Sequence, residues 1–422
     1  MTTTDPEAPA TKRPVDAAAR PNPVDRIRAR LSHWRDLVRD ALDKPLADYY
    51  LLLGAAVMLL SIGLIMVLSS SSIYAYKNYD GNSYAVVVKQ LMWVAIGVPC
   101  AWIAGRLPHR WVRRLAYPGF LVTILLLGLV ARWGVEVNGN RNWLALGPFS
   151  IQPAEIAKLA LVLWAANIYA NKERRLHSLH HILVPVVPGM VTVIALVLVG
   201  RDLGTALVLF AIMLGMLWVV GAPPRLFALS LSVIGVLAIA LAAVSPTRMA
   251  RIANFSDPFR DYHGTGWQPA HGLYALASGG WFGEGLGASR QKWGDLPEAH
   301  TDFIFAVLGE ELGLVGTLLV VSLFLALAFA GIRVAQRTED PFVRYMSFGI
   351  IVWLLGQMVI NVGMVLTVLP VIGIPLPLIS YGGSALVPSL VAVGLLVGFA
   401  RREPAAAAAL AARRRRPTPT TR

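Results

Sequence analysis

The chain has 422 residues, 56% hydrophobic and 15% charged, with a formal net charge of +14 and a mean hydropathy of +0.59. Soluble domains are about a quarter charged, so the composition excludes an ordinary soluble enzyme and points to a multi-span membrane protein. The single cysteine, Cys100, excludes an internal disulfide and a cysteine-built metal site.

Residues 1–47 read as a basic arm. Pro6, Pro9, Pro14, Pro21 and Pro23 stand among charges there, the composition of a disordered segment. Within the arm, Val24–Leu42 has the pattern of an amphipathic helix on a membrane surface. Beyond it, runs of roughly 18 or more apolar residues are transmembrane candidates. Ten occur, near 48–70, 84–105, 115–133, 153–170, 181–199, 203–220, 225–244, 303–332, 343–368 and 384–400. The first is not expected to be a cleaved signal peptide, because the polar arm precedes it and no small-residue cleavage site follows. The expected fold class is all-α: a ten-helix membrane domain over 48–402, with a long loop at 245–302 between the seventh and eighth helices. The Ala- and Arg-rich residues 403–422 read as a disordered basic tail. No 20–50-residue repeat is visible.

Lys and Arg set the orientation. With both termini cytoplasmic, 27 of the 38 basic residues fall on the cytoplasmic side, while the acids divide about evenly. The basic excess is thus a topology signal that also favours anionic membrane lipid. Despite Arg413–Arg416, nucleic acid is not expected as a partner.

With this orientation the chemistry-bearing residues fall in outer loops and the first turns of the helices that follow. In "EVNGNRNWLALGPFSIQPAEIAKL", Pro153 suits a first helical turn, Glu155 suits the positive end of the helix dipole, and Lys158 lies on the same face. A structural Glu–Lys pair and a cation for a lipid-linked phosphate are both open for Lys158. In "GRDLGTAL", Asp202 is either a helix cap or a site acid. In "LPEAHTDFIFAVLGEELG", Thr301 or Asp302 is a candidate cap for a helix beginning at Phe303. Glu310 and Glu311, about 12–13 Å further along, need partners such as Lys158, Arg141, Arg201 or Lys292. "GLYALASGG" within the long loop is too short to span and suits a re-entrant or interfacial helix. "PVIGIPLPLISYGGSAL" cannot be regular helix, and such backbone at membrane depth needs protein or a watery cavity around it.

These four pieces, "NGNRNWLALGPFSIQPAEIAKL", "DLGTAL", "LPEAHTDFIFAVLGEELG" and "PLPLISYGGSAL", resemble the outer-loop motifs of the shape, elongation, division and sporulation family (FtsW and RodA), over about Asp48 to Arg402. Ala299 and "IMVLSSSS" look more like the division-associated FtsW branch than RodA. Ala154 and Ala385 stand where many members carry Ser, and neither change removes a charge. The resemblance implies a peptidoglycan glycosyltransferase that polymerises lipid II at the outer face of the cytoplasmic membrane, at the division septum. It further implies a class B penicillin-binding protein and divisome proteins as partners. It makes Asp302 the catalytic general base. It places Glu155, Lys158, Arg141, Gln152, Asp202, Lys292, His300, Ser380, Tyr381, Gly382, Gly383 and Ser384 at the substrate. A leaving diphosphate needs Arg, Lys or a divalent cation, Mg2+ or Mn2+. As a helix-start aspartate, Asp302 is expected to have a lowered pKa. The rival readings are a lipid II flippase, for which Glu310 and Glu311 speak, a RodA-like elongation polymerase, and a silent scaffold.

Overall fold

The computed structural model describes residues 32–33, 36, 39–137, 139–147, 149–243, 249, 255–294 and 296–415. Most of Val24–Leu42 lies outside them; Arg39–Leu42 are helical. Each of the ten predicted segments coincides with a helix: α1 (Ala47–Asn78), α2 (Ala85–Arg106), α3 (Ala116–Trp133), α4 (Pro153–Lys172), α5 (Val186–Val199), α6 (Leu203–Val219), α7 (Pro224–Ala243), and then, after α8 (Trp267–Ser278) in the long loop, α9 (Ile304–Arg337), α10 (Pro341–Val365) and α11 (Gly383–Arg402). Seven spans among the described residues are long and apolar enough to cross a membrane: α1, α2, α3, Leu179–Val199, α9, α10 and α11. The others fall short for visible reasons. α4 carries Glu155, Lys158 and Lys172, α6 has 17 residues, and the apolar run of α7 is Pro224–Val236.

The bundle is glued where side chains are small and greased where they face out. α2 lies along α11 because a Cβ at Gly394 would sit 2.2 Å from the Ala101 carbonyl oxygen, and one at Gly398 2.3 Å from that of Gly105. Small residues at such a crossing let backbones touch, as membrane helix pairs require. α9 packs on α1 and α10, and α10 on α4 and α6. Trp353, Tyr169, Phe303 and Phe324 fill the interior. Trp102, Leu121 and Leu125 are 58%, 63% and 62% exposed, the outward apolar face that a lipid solvent favours.

The all-α membrane architecture holds, with one small addition: β1 (Val135–Val137), β2 (Asn140–Leu146) and β3 (Phe149–Ile151) form an antiparallel sheet in the order β1-β2-β3, with Val137 opposite Asn140 and Leu144 opposite Ile151. One expectation is corrected: the tail contains α12 (Pro404–Arg415) rather than disorder over those residues. Proline at the first turn followed by an alanine run is a strong helix-forming sequence.

α9 is two helices joined at a kink. Gly313 breaks it with φ 66° and ψ −166°, a region open essentially to glycine alone. The loop after α8 repairs the break. Leu314 and Val315 N–H donate to the carbonyls of Gly280 and Trp281 at 2.9 and 3.1 Å, while Glu284 and Gly285 N–H donate to those of Glu310 and Glu311 at 2.9 and 3.1 Å. Irregular backbone is thereby satisfied by protein, as the hydrocarbon region demands. A Cβ at Gly313 would lie 2.4 Å from the Gly283 nitrogen. Gly313→Ala is expected to lower the thermal midpoint in detergent sharply, since strained backbone alone costs about 1–3 kcal/mol and the loop must also move. Gly54→Ala in α1, whose Cβ would meet nothing within 4 Å, is the matched control and should hold or gain stability. Equal midpoints for both would sink this account of the break.

Candidate active site

Asp302 sits in a turn built on Glu298. That residue takes φ 55°, and its carbonyl accepts the N–H groups of Thr301 and Phe303, each at 3.1 Å. The Thr301 hydroxyl donates to the Glu298 carboxylate at 2.6 Å. α9 then starts at Ile304 with Phe303 as its cap and no capping side chain. The expected capping by Thr301 or Asp302 is therefore corrected: Thr301 is spent on Glu298, and among the described residues no hydrogen bond or ion pair reaches the Asp302 carboxylate. Only the Asp302 main chain is tied down, its carbonyl accepting from the Asn361 side-chain amide at 2.8 Å.

The Pro/Gly-rich segment after α10 wraps this turn with irregular backbone, as expected. The Ser380 hydroxyl donates to the Thr301 carbonyl at 2.6 Å and accepts from Leu376 N–H at 2.7 Å. Tyr381 N–H donates to the His300 carbonyl at 3.0 Å. Gln90 of α2 braces the segment, donating to the Ser380 carbonyl and accepting from Gly382 N–H, both at 3.2 Å. Ser384 accepts Gln152 N–H at 3.2 Å, which brings the start of α4 to the same place, while Gly383 packs on Trp93. Gly373, at φ 70°, lays its backbone against the carboxylate: a Cβ there would be 3.2 Å from Asp302 Oδ2. The His300 ring lies between Tyr74 and Tyr381, with centroids at 4.8 and 5.6 Å.

Asp202 is a cap and more. Its Oδ1 accepts Thr205 N–H at 2.9 Å at the start of α6, and its Oδ2 accepts from Thr205, Asn142 and Gln152 at 3.0, 2.9 and 2.8 Å. It thus pins the sheet and the α4 entry to α6. Glu155 and Lys158 form an ion pair of 2.7 Å, with Lys158 also donating to Gln357 at 3.0 Å. Lys158 is 1% exposed, so it does not stand open to a phosphate. Of the two readings left open for it, the structural pair is the one the geometry takes, because a buried ammonium needs its counter-charge.

Burial pushes the Asp302 carboxyl up to about 7, and the negative charges of Glu298, Asp202 and Glu155 add to the rise. The expected lowering is corrected: with no capping bond the helix dipole is not engaged, and desolvation beside other acids wins. Burial also holds the His300 imidazole below its ordinary value.

Lys292 is not brought to Asp302 by any contact among the described residues. Its ammonium pairs with Glu311 at 2.9 Å and donates to Ser69 at 3.0 Å and the Gly287 carbonyl at 2.7 Å. Glu310 accepts the Ser289 hydroxyl at 2.5 Å and Arg290 N–H at 2.8 Å. The two glutamates hold the long loop onto the α9 break. Arg141 is exposed on β2, its N–H bonded to the Gly200 carbonyl at 2.9 Å. Among the described residues no group of three His, Cys, Asp or Glu side chains is placed to hold a metal ion.

The family described as cell cycle protein, of the FtsW, RodA and SpoVE type, matches residues 50–404. The chain belongs to this family. A relative from Mycobacterium tuberculosis called probable peptidoglycan glycosyltransferase FtsW is 40% identical over 383 residues, 90% of this chain and 72% of the relative. Stage V sporulation protein E of Bacillus subtilis is 37% identical over 356 residues, 83% of this chain and 96% of the relative. Among solved structures, a chain described under the coordination of polymerization and crosslinking by a peptidoglycan synthase complex is similar at a TM-score of 0.68 and 28% identity, covering 84% of this chain and 97% of that one. The rod shape determining protein RodA of Thermus thermophilus follows at 0.62 and 27%, covering 84% and 97%.

Sequence reasoning missed Gln90, Asn142, Gln357 and Asn361. All are neutral amides, three of them inside apolar helices, where the charged residues drew attention. An amide in a membrane segment is itself a signal, since it must find partners.

Proposed function

We propose that this membrane protein, a peptidoglycan glycosyltransferase of the FtsW type, polymerises lipid II with Asp302 as general base. The acceptor hydroxyl attacks the anomeric carbon of the donor, the new glycosidic C–O bond forms, the bond to the diphosphate breaks, and Asp302 takes the hydroxyl proton. A single base with no covalent intermediate inverts the anomeric centre, as one-step displacement does in inverting glycosidases. The observation that carries the reading is a carboxylate without a protein partner among the described residues, held by its main chain where all four motifs meet. Exposed Arg141 is assigned to the departing diphosphate, and no step is assigned to a metal ion. Gln152, His300 and the Ser380–Ser384 turn shape the pocket wall, while Lys158 and Glu155 support it from within.

The flippase reading loses its main support, because Glu310 and Glu311 are consumed by Lys292, Ser289 and loop backbone. Among the described residues Asp202 and the Glu155–Lys158 pair lie at the helix starts near Asp302, and at the start of α1 Asp48 pairs with Arg333 and Arg337 at 3.0 and 3.1 Å. The proposed orientation puts Asp302 outside and both termini in the cytoplasm, at the septum, with a class B penicillin-binding protein alongside. The full chain reconstituted with that partner is expected to convert labelled lipid II into long glycan strands. Movement of lipid II across the vesicle without strand formation would overturn the enzyme reading.

A further inference from the structure

Trp353, Gln357 and Asn361 recur every four residues on α10, so they share one helix face. Gln357 and Asn361 are 1% and 0% exposed. Both side-chain amides are used as clamps. The Gln357 oxygen accepts from Lys158 at 3.0 Å and from the Trp353 indole at 2.9 Å, while its nitrogen donates to the Pro375 carbonyl at 2.8 Å. One turn on, the Asn361 nitrogen donates to the carbonyls of Ile374 and Asp302 at 2.7 and 2.8 Å. Two neighbouring carbonyls of the Pro-rich segment are thus gripped by two successive turns of one helix. The other ends of the grips are the Glu155–Lys158 pair and the Asp302 turn.

We infer that Asn361 and Gln357 are positioning residues, a rack on α10 that fixes the Asp302 turn relative to the Glu155–Lys158 pair. This rests on Asp302 being the base. The Asn361 side-chain oxygen is buried with no partner among the described residues. A buried unpaired acceptor is costly, so the side chain is held there for its two donor bonds. Aspartate has the same shape, yet ionised it cannot donate and would face two carbonyl oxygens. Helix-borne amides also suit the task, since sites built on rigid elements hold geometry more closely than loops. Displacing a catalytic group by about 1 Å can cost about 10²-fold in rate.

The test compares Asn361→Asp and Asn361→Ser with Ser347→Ala, a fully buried residue on α10 that touches neither clamp, in the full chain with its partner, using lipid II. Both Asn361 variants are expected to lose about 10²-fold in kcat with KM changed less than about twofold, while Ser347→Ala keeps kcat. Asn361→Asp should also shift the acid limb of the pH profile upward, because it adds a carboxylate to the charges of Glu298, Asp202 and Glu155 that already act on Asp302, while the Lys158 ammonium is held by Glu155 and Gln357. A purely structural role would lower the yield of folded protein and leave kcat per folded molecule and the pH limb unmoved. Wild-type kcat in either folded variant overturns the inference, as does failure of both to fold. Asp302→Asn run in parallel separates the two levels. If it is active, the base assignment is what failed; if it is dead while the Asn361 variants are normal, only the rack falls.

Discussion

Asp302→Asn will abolish glycan polymerisation and yet leave the protein as stable as the wild type, or more so, at pH 8. Loss of general base catalysis is worth about 10²–10⁴ in rate. The stability forecast follows from the same carboxyl. Its folded-state value of about 7 stands above the ordinary 3.8, so between those values the folded protein binds more protons than the unfolded chain. Stability contributed by this group is then fully present below about 4 and is lost as pH rises through about 7. Asparagine cannot ionise and escapes that loss. In wild type the rate should rise with pH through about 7 and level off, because the base works only when ionised. A capping role would have predicted an active asparagine variant, and the structure already removes that role, since Asp302 makes no cap bond. Near-normal polymer yield from a well-folded Asp302→Asn protein would falsify the base assignment.

The helices were legible in the sequence because twenty-residue apolar blocks leave little choice of structure in a bilayer. The sheet at 135–151 was not, since its two outer strands of three residues are too short to show alternation; the Asn138-Gly139 dipeptide, a hairpin signal, was the clue passed over. At the site, the structure brings the motif segments together: Ser380 and Tyr381 bond to the carbonyls of Thr301 and His300, and Gln152 bonds to Ser384 and Asp202. What sequence could not give was which charges are already neutralised. A Glu155–Lys158 pair and Lys292 as a partner for Glu310 or Glu311 were each among the open readings, and the structure closes these two pairs at 2.7 and 2.9 Å. The lowered pKa for Asp302 failed because that expectation used the local helix end alone, whereas burial raises the carboxyl first and the charges of Glu298, Asp202 and Glu155 add to the rise.

Lys292→Ala is expected to destabilise the protein by about 3–5 kcal/mol, the cost of stranding one partner of a buried ion pair. Glu311 is 1% exposed, and one of its carboxylate oxygens already lacks a partner among the described residues, so nothing nearby can replace the ammonium. The damage should appear in the long loop first, because Lys292 ties Gly287 and Ser69 to Glu311 through one nitrogen. Replacing both members, Lys292→Met with Glu311→Leu, removes the stranded charge and should restore most of the thermal midpoint. Ser69 then turns its hydroxyl to a carbonyl of its own helix, as serines in membrane helices do. The pair of experiments also decides what Lys292 is for. If it held the substrate diphosphate, the double variant would be folded and inactive. As a loop fastener it is dispensable once the charge is gone, so polymerisation per folded molecule should return to within about threefold of wild type, the spread expected for indirect effects of a repacked site. A folded double variant without activity would return Lys292 to the substrate.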